Sequence, residues 1–157
     1  MFNVFVNFGD IKGEATEQGH KDWVSALSVS FQVSKTPVKS RSAGAVKAKE
    51  GSALAITKLV DTASPKLFEA CTKGTHIPEV TIEYMRADKG GQPIGYLQIK
   101  LKEVVISGIA HNPTPPGANV EPTETLNLVY SSMEQAPVVA TPGSLAPKVS
   151  LAKKTVS

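Results

Sequence analysis

A mainly β domain with one short helix is the fold class this sequence predicts, and three observations predict it. Apolar and polar residues alternate with a period of two along much of residues 2–130. Only residues 64–74 carry the start and stop signals of a helix. Two stretches read as the fixed corners of a small β-structure: Lys12-Gly13-Glu14 with Gly19-His20-Lys21-Asp22-Trp23, and the run DTASPKLFEACTKGTHIP from Asp61 to Pro78. Neither reads as an active site, which turns the reading from chemistry towards assembly.

Each element follows in order. Phe2, Val4, Val6 and Phe8 alternate with Asn3, Phe5 and Asn7 in a first strand. Residues 9–19 are polar and turn-rich and form a loop. Trp23, Ser25, Leu27, Val29, Phe31 and Val33 are expected on the apolar face of one long strand. Val24, Ala26, Ser28, Ser30, Gln32 and Ser34 are expected on its small, wetter face. Residues 36–51 break the pattern, with Pro37, Gly44 and four basic residues (Lys39, Arg41, Lys47 and Lys49) and little to anchor a core. A loop this long is uncommon inside a compact domain and is usually functional or disordered. Leu54, Ile56 and Val60 resume a strand.

Ser64 is expected to cap the helix, and Pro65 suits its first position, where no N–H is needed. Leu67, Phe68 and Cys71 fall three and four apart and are expected to dock on the sheet. Lys73 complements the negative end, and Gly74 can take the left-handed conformation that stops the helix. Val80, Ile82 and Tyr84 mark the next strand, and Asp88-Lys89-Gly90-Gly91-Gln92 a hairpin turn. Leu97, Ile99 and Leu101 mark the return strand, which residues 104–109 continue. A Pro/Gly/Asn loop over 111–122 leads to a strand carrying Leu126, Leu128 and Tyr130. There is no internal repeat. From Ala136 onward Pro137, Pro142 and Pro147 interrupt short Ala/Val/Ser runs. The chain therefore divides into a domain, residues 1–135, and an extended, poorly packed tail, residues 136–157.

Composition narrows the function. A chain of 157 residues is long enough for one domain with a real core. Three of its 17 basic residues, Lys148, Lys153 and Lys154, follow Gln135, and none of its 14 acids does. Residues 1–135 are therefore formally neutral, and they lack the general field that draws proteins to phosphate backbones. Cys71 is the only cysteine, so no intrachain disulfide and no thiolate metal site can form. No apolar run approaches the roughly 18 residues of a membrane span. The first residues, Met1-Phe2-Asn3-Val4-Phe5-Val6-Asn7, lack a basic region followed by a long apolar core, so any export is expected without a cleaved leader.

No catalytic, cofactor-binding or metal-binding set emerges. His20 and Asp22 lie near Glu14 and Glu17, but no spaced His/Asp set elsewhere completes a site, and a hydrogen-bonded surface turn is expected. Cys71 with His76 would suit a thiol–imidazole nucleophile, yet Cys71 lies on the apolar helix face, where cysteine packs as a small hydrophobe. No Gly-rich phosphate loop and no Gly-x-Ser-x-Gly elbow is present. The basic loop lacks interleaved aromatics for stacking bases, so it suits an acidic protein surface better than nucleic acid.

In order and spacing, several short segments together resemble the Hcp family, the haemolysin-coregulated proteins of bacterial type VI secretion systems. They are Lys12-Gly13-Glu14, Gly19-His20-Lys21-Asp22, Ser64-Pro65-Lys66-Leu67, Gly74-Thr75-His76-Ile77-Pro78, Tyr96-Leu97-Gln98-Ile99-Lys100-Leu101 and Glu121-Pro122-Thr123-Glu124. The resemblance covers residues 2–135. It implies a two-sheet β-barrel or sandwich with one flanking helix, similar to the tail-tube proteins of contractile phages. It implies a hexameric ring with a central channel, and rings stacked into an inner tube that a contracting sheath propels. It also implies sheath and spike proteins as partners, small effectors carried in the lumen, assembly in the cytoplasm before secretion, and no catalysis. On that picture Ser28, Ser30, Gln32 and Ser34 are expected to face the lumen, with Lys100 and Lys102 as the alternative wall. Lys39, Arg41, Lys47 and Lys49 are expected to dock on the adjacent ring. The rival readings are a tail-tube protein of a related injection device or phage, and a monomeric β-barrel that binds a small ligand.

Overall fold

Alternation along the strands builds the core. A computed structural model describes residues 2–32, 53–139, 148–149 and 152–154. β1 (Phe2–Asn7) turns Val4 and Val6 inward, and Phe8 follows them. β2 (Val24–Ala26) and β3 (Ser28–Phe31) come next, then β4 (Leu54–Leu59) and the helix α1 (Ser64–Lys73). The long strands β5 (His76–Ala87) and β6 (Pro93–Asn112) form a hairpin, followed by β7 (Thr123–Val129) and β8 (Ser132–Val139). Two short strands, β9 (Lys148–Val149) and β10 (Ala152–Lys154), lie along β8. β8 thus includes the first four residues of the stretch that begins at Ala136, and β9 and β10 pair with it.

All pairings are antiparallel, in the order β2-β1-β5-β6-β7-β4-β3. β6 changes neighbours along its length. Its first half pairs with β8 and its second half with β7, and the switch falls by Glu103, which has a φ of 50°. The two ends of the strand order, β2 and β3, are separated in the chain by Leu27 alone, whose N–H donates to the Thr57 carbonyl at 2.7 Å. The sheet therefore curls until its ends meet, enclosing Val6, Val24, Leu54, Ile56, Val80, Ile82, Ile99, Leu101, Leu126 and Leu128.

The single strand expected over residues 23–34 is instead two strands with a bend. Val24 and Ala26 face inward from β2, and Val29 and Phe31 from β3. Leu27 is 58% exposed at the corner. The strand leaves β1 for β4 at that point, and one residue drops out of the alternation, as at a bulge.

The helix begins with Pro65 in its first turn and ends at Gly74 in the left-handed conformation, φ 63°. Its buried face is Leu67 and Ala70 with Cys71 half-buried, whereas Phe68 is 61% exposed. Phe68 therefore takes no part in the docking face expected of it. Ser64 does not cap the helix, because its side chain is drawn into a buried polar network.

Candidate functional site

β3, β4, β7 and the end of β6 form one wall whose outer face is small and polar. Ser28 and Ser30 stand opposite Thr57 and Ala55, which stand opposite Thr125 and Asn127. These in turn face Ala110 and Gly108 of β6. The hydroxyls of Thr57 and Thr125 lie 3.3 Å apart, and the Asn112 amide donates to Thr123 at 2.8 Å. None of these positions holds a charged residue. Ser28, Ser30 and Gln32 are all exposed, as expected. Ser34 and the basic residues Lys39, Arg41, Lys47 and Lys49 lie outside the described residues.

The inner face of the same wall carries charge. Lys58, 0% exposed, alternates inward after Leu54 and Ile56, and Glu124, 1% exposed, stands directly across from it. The Lys58 ammonium donates to the Glu124 carboxylate, to the Leu59 carbonyl at 2.8 Å and to Ser64 at 3.2 Å, and it lies 2.9 Å from an Asp61 carboxylate oxygen. Ser64 Oγ donates to Glu124 at 2.6 Å and accepts from the Asp61 N–H at 3.0 Å. On the solvent side, exposed His111 brings Nε2 to 3.3 Å from the second Glu124 oxygen. A buried charge is tolerable only when paired and fully hydrogen-bonded, and these partners meet that condition. The sequence reading passed over Lys58. Its signal was there: a lysine at the inward phase of an apolar alternation.

The second wall is β1, β5, the first half of β6, and β8. Its inner face is apolar apart from Gln135, which stands across from Ile99, and its outer face pairs charges. Glu79 accepts from Lys102, which stands across from it, and both are partly exposed. The Lys102 hydrogen bond holds the Glu79 carboxyl below the ordinary glutamate range. Lys100, the alternative lumen residue with Lys102, stands between Thr81 and Glu134.

His20 departs from the expected surface turn, because it is 5% exposed. Its ring stacks on Phe5 at 4.6 Å between centroids and meets the Trp23 ring edge-on at 4.8 Å. Nε2 lies 2.6 Å from the Glu83 carboxylate, which also accepts from the Gln98 amide at 2.9 Å. Burial pushes the Glu83 carboxyl up, but the His20 and Gln98 hydrogen bonds and the His20 and Lys100 charges together outweigh it and hold it below its ordinary value. The corner expected at residues 12–23 is thus locked to β5. Gly13 allows it, since a Cβ there would sit 2.5 Å from the Trp23 carbonyl oxygen.

The other candidates stay apart. Cys71 is half-buried, and His76 is exposed, with Nδ1 4.0 Å from Glu103. A cleft of about 370 Å³ brings Glu14, Asp61 and Glu121 beside Ser25 and Pro122. Among the described residues no three His, Cys, Asp or Glu side chains converge as metal ligands would.

Comparison with known proteins places this architecture. Residues 5–136 match the family described as type VI secretion system effector, Hcp. The chain belongs to the Hcp family. Protein hcp1 of Pseudomonas aeruginosa is 27% identical over 136 residues, covering 86% of this chain and 83% of that protein. Among solved structures, Hcp1 of Salmonella typhimurium superposes with a TM-score of 0.73 at 23% identity, covering 99% of this chain and 94% of its own. A type VI secretion system effector from Yersinia pestis gives 0.68 at 20% identity, covering 96% of this chain and 99% of its own. These two likenesses establish a shared fold, and the mainly β architecture with one short helix is the Hcp fold. No helix among the described residues is long and apolar enough to cross a membrane.

Proposed function

We propose that this Hcp-family chain is the subunit of a type VI secretion tube. Copies close into a hexameric ring, rings stack, and a contracting sheath behind a spike drives the tube out with small effectors in its lumen. The chain assembles in the cytoplasm before it is exported. The reading rests on the charge-free outer wall. A channel that carries cargo and later releases it needs a hydrated surface that makes many weak contacts and no strong ion pair. The row from Ser28 and Ser30 through Thr57 and Thr125 has that chemistry, so Ser28, Ser30, Gln32 and Ser34 are assigned to the lumen. The charged wall, with Lys100 and Lys102, is left for contacts between subunits. Ring closure requires a heterologous contact, in which one surface of a subunit meets a different surface of the next. Lys39, Arg41, Lys47 and Lys49 are assigned to the contact between rings, where several ion pairs must act together because each exposed pair contributes only about 0–1 kcal/mol.

Light scattering and negative-stain microscopy test the assembly: hollow hexameric rings are expected, and a monomer at all ordinary salt concentrations would refute it. Ser30→Arg should leave rings intact while effector retention in pull-downs falls, and unchanged retention would remove the lumen assignment. Reversing the four basic residues should leave rings but shorten tubes, and tubes of unaltered length would remove the stacking assignment.

A further inference from the structure

β8 has two edges, and the chain supplies the strand on both. On one side Ser132–Pro137 pair with Lys102–Leu97 of β6. On the other side lie β9 and β10, from the tail. Val139 and Val138 face Lys148 and Val149, while Gln135, Glu134 and Met133 face Ala152, Lys153 and Lys154. Each step forward along β8 is one step back along the tail, with no slip between the two short strands. β9 and β10 therefore act as one interrupted strand in a single register. Within residues 133–139, Ala136 and Pro137 have no partner on this edge among the described residues, and a proline cannot donate a ladder hydrogen bond.

Without this cover, β8 would expose an eight-residue edge along which Met133, on the core face, and Ala136 and Val138, on the opposite face, are buried. Such an edge is a template for pairing with another chain. The tail has the composition that blunts it. Lys148, Lys153 and Lys154 lie on the covering strands, which are two and three residues long. Short strands bearing lysine discourage further pairing.

We propose that β9 and β10 are an intramolecular edge cap that holds the β8 edge closed against the β8 edge of a second copy of this chain. When the cap leaves, two β8 edges pair antiparallel about a two-fold axis. This contact is isologous, unlike the head-to-tail contact of a ring, and it does not depend on the tube reading.

The test uses the full chain. Directly opposed antiparallel residues have Cα atoms about 4.5–5.5 Å apart, inside the disulfide range. In a Cys71→Ser background, Gln135→Cys with Ala152→Cys should oxidise to an intrachain disulfide, seen as a faster-migrating monomer band on a denaturing gel. The off-register pair Gln135→Cys with Lys154→Cys should close several-fold more slowly. A disulfide mainly between chains, or no preference for the registered pair, would overturn the cap. Separately, Val149→Pro with Lys153→Pro should speed hydrogen exchange over residues 133–139 by roughly tenfold or more, as local protection is lost. Light scattering on the same variant should show association beyond the parent's state at equal concentration. Faster exchange with unchanged mass would overturn the second-copy contact, and unchanged exchange would overturn the cap. Ring formation is read separately by microscopy, so this proposal and the tube reading can fail independently.

Discussion

In the wall of β3, β4 and β7, the Lys58–Glu124 pair points inward and hydroxyls point out. In the wall of β1, β5, β6 and β8 the inward residues carry no charge, with Gln135 the polar exception on β8, and the outer face carries Glu79–Lys102 and His20–Glu83. The same alternation thus serves opposite ends. One wall keeps its solvent face free of charge by placing its ion pair in the core, where every partner must be met. The other keeps its charges out of the core and carries them on its outer face, where Glu79–Lys102 is partly exposed and His20–Glu83 is covered. The buried pair also ties β4 to β7 at one register. A slip of one residue would turn Lys58 and Glu124 to opposite faces and leave a charge alone in the core.

Breaking the inward pair should have the largest effect. Glu124→Ala leaves the Lys58 ammonium buried with fewer partners and should cost about 3–5 kcal/mol in chemical denaturation. Lys58→Met combined with Glu124→Leu should recover most of that loss, since a hydrophobic replacement removes the desolvation cost along with the pairing. If the double variant were as unstable as the single one, the pair would be stabilising in its own right.

On the other wall, His20→Ala should cost roughly 2–3 kcal/mol, combining a charge-assisted hydrogen bond with ring stacking on Phe5 and Trp23. The effect of pH sharpens the comparison. Glu83 is held below its ordinary value, so its contribution is fully present above the unfolded carboxyl pKa, about 4.3, and is lost as pH falls through the folded value. Glu83→Gln should flatten the acid limb of a stability–pH curve, and an unaltered limb would show that the carboxyl contributes nothing there. The smallest effect is expected at the partly exposed Glu79–Lys102 pair. Glu79→Gln should leave the denaturation midpoint where it is, and a clear drop would mean that solvent screens this face less than its exposure implies.

Legibility followed distance along the chain. The hairpin turn was readable because Asp88 Oδ1 accepts from the N–H groups of Gly90 and Gln92 within five residues. The helix stop was readable because Gly74 alone decides it. The exposed serines of β3 were readable from period two, but the bend at Leu27 was not, because it arises where one strand changes partners. Phe68 obeyed helical spacing and still points to solvent, since spacing defines a stripe and packing chooses how much of it is covered.

By itself, the sequence determined a mainly β chain with one short helix, its turns, the neutrality of residues 1–135, and the motifs that mark the Hcp family. Only the tertiary structure decided that Lys58 meets Glu124 across 66 residues, that His20 meets Glu83 across 63, and that the tail returns to cover β8. Turn and helix signals act between near neighbours. Strand partners are chosen by closing long loops around a shared core, and no local pattern records that choice.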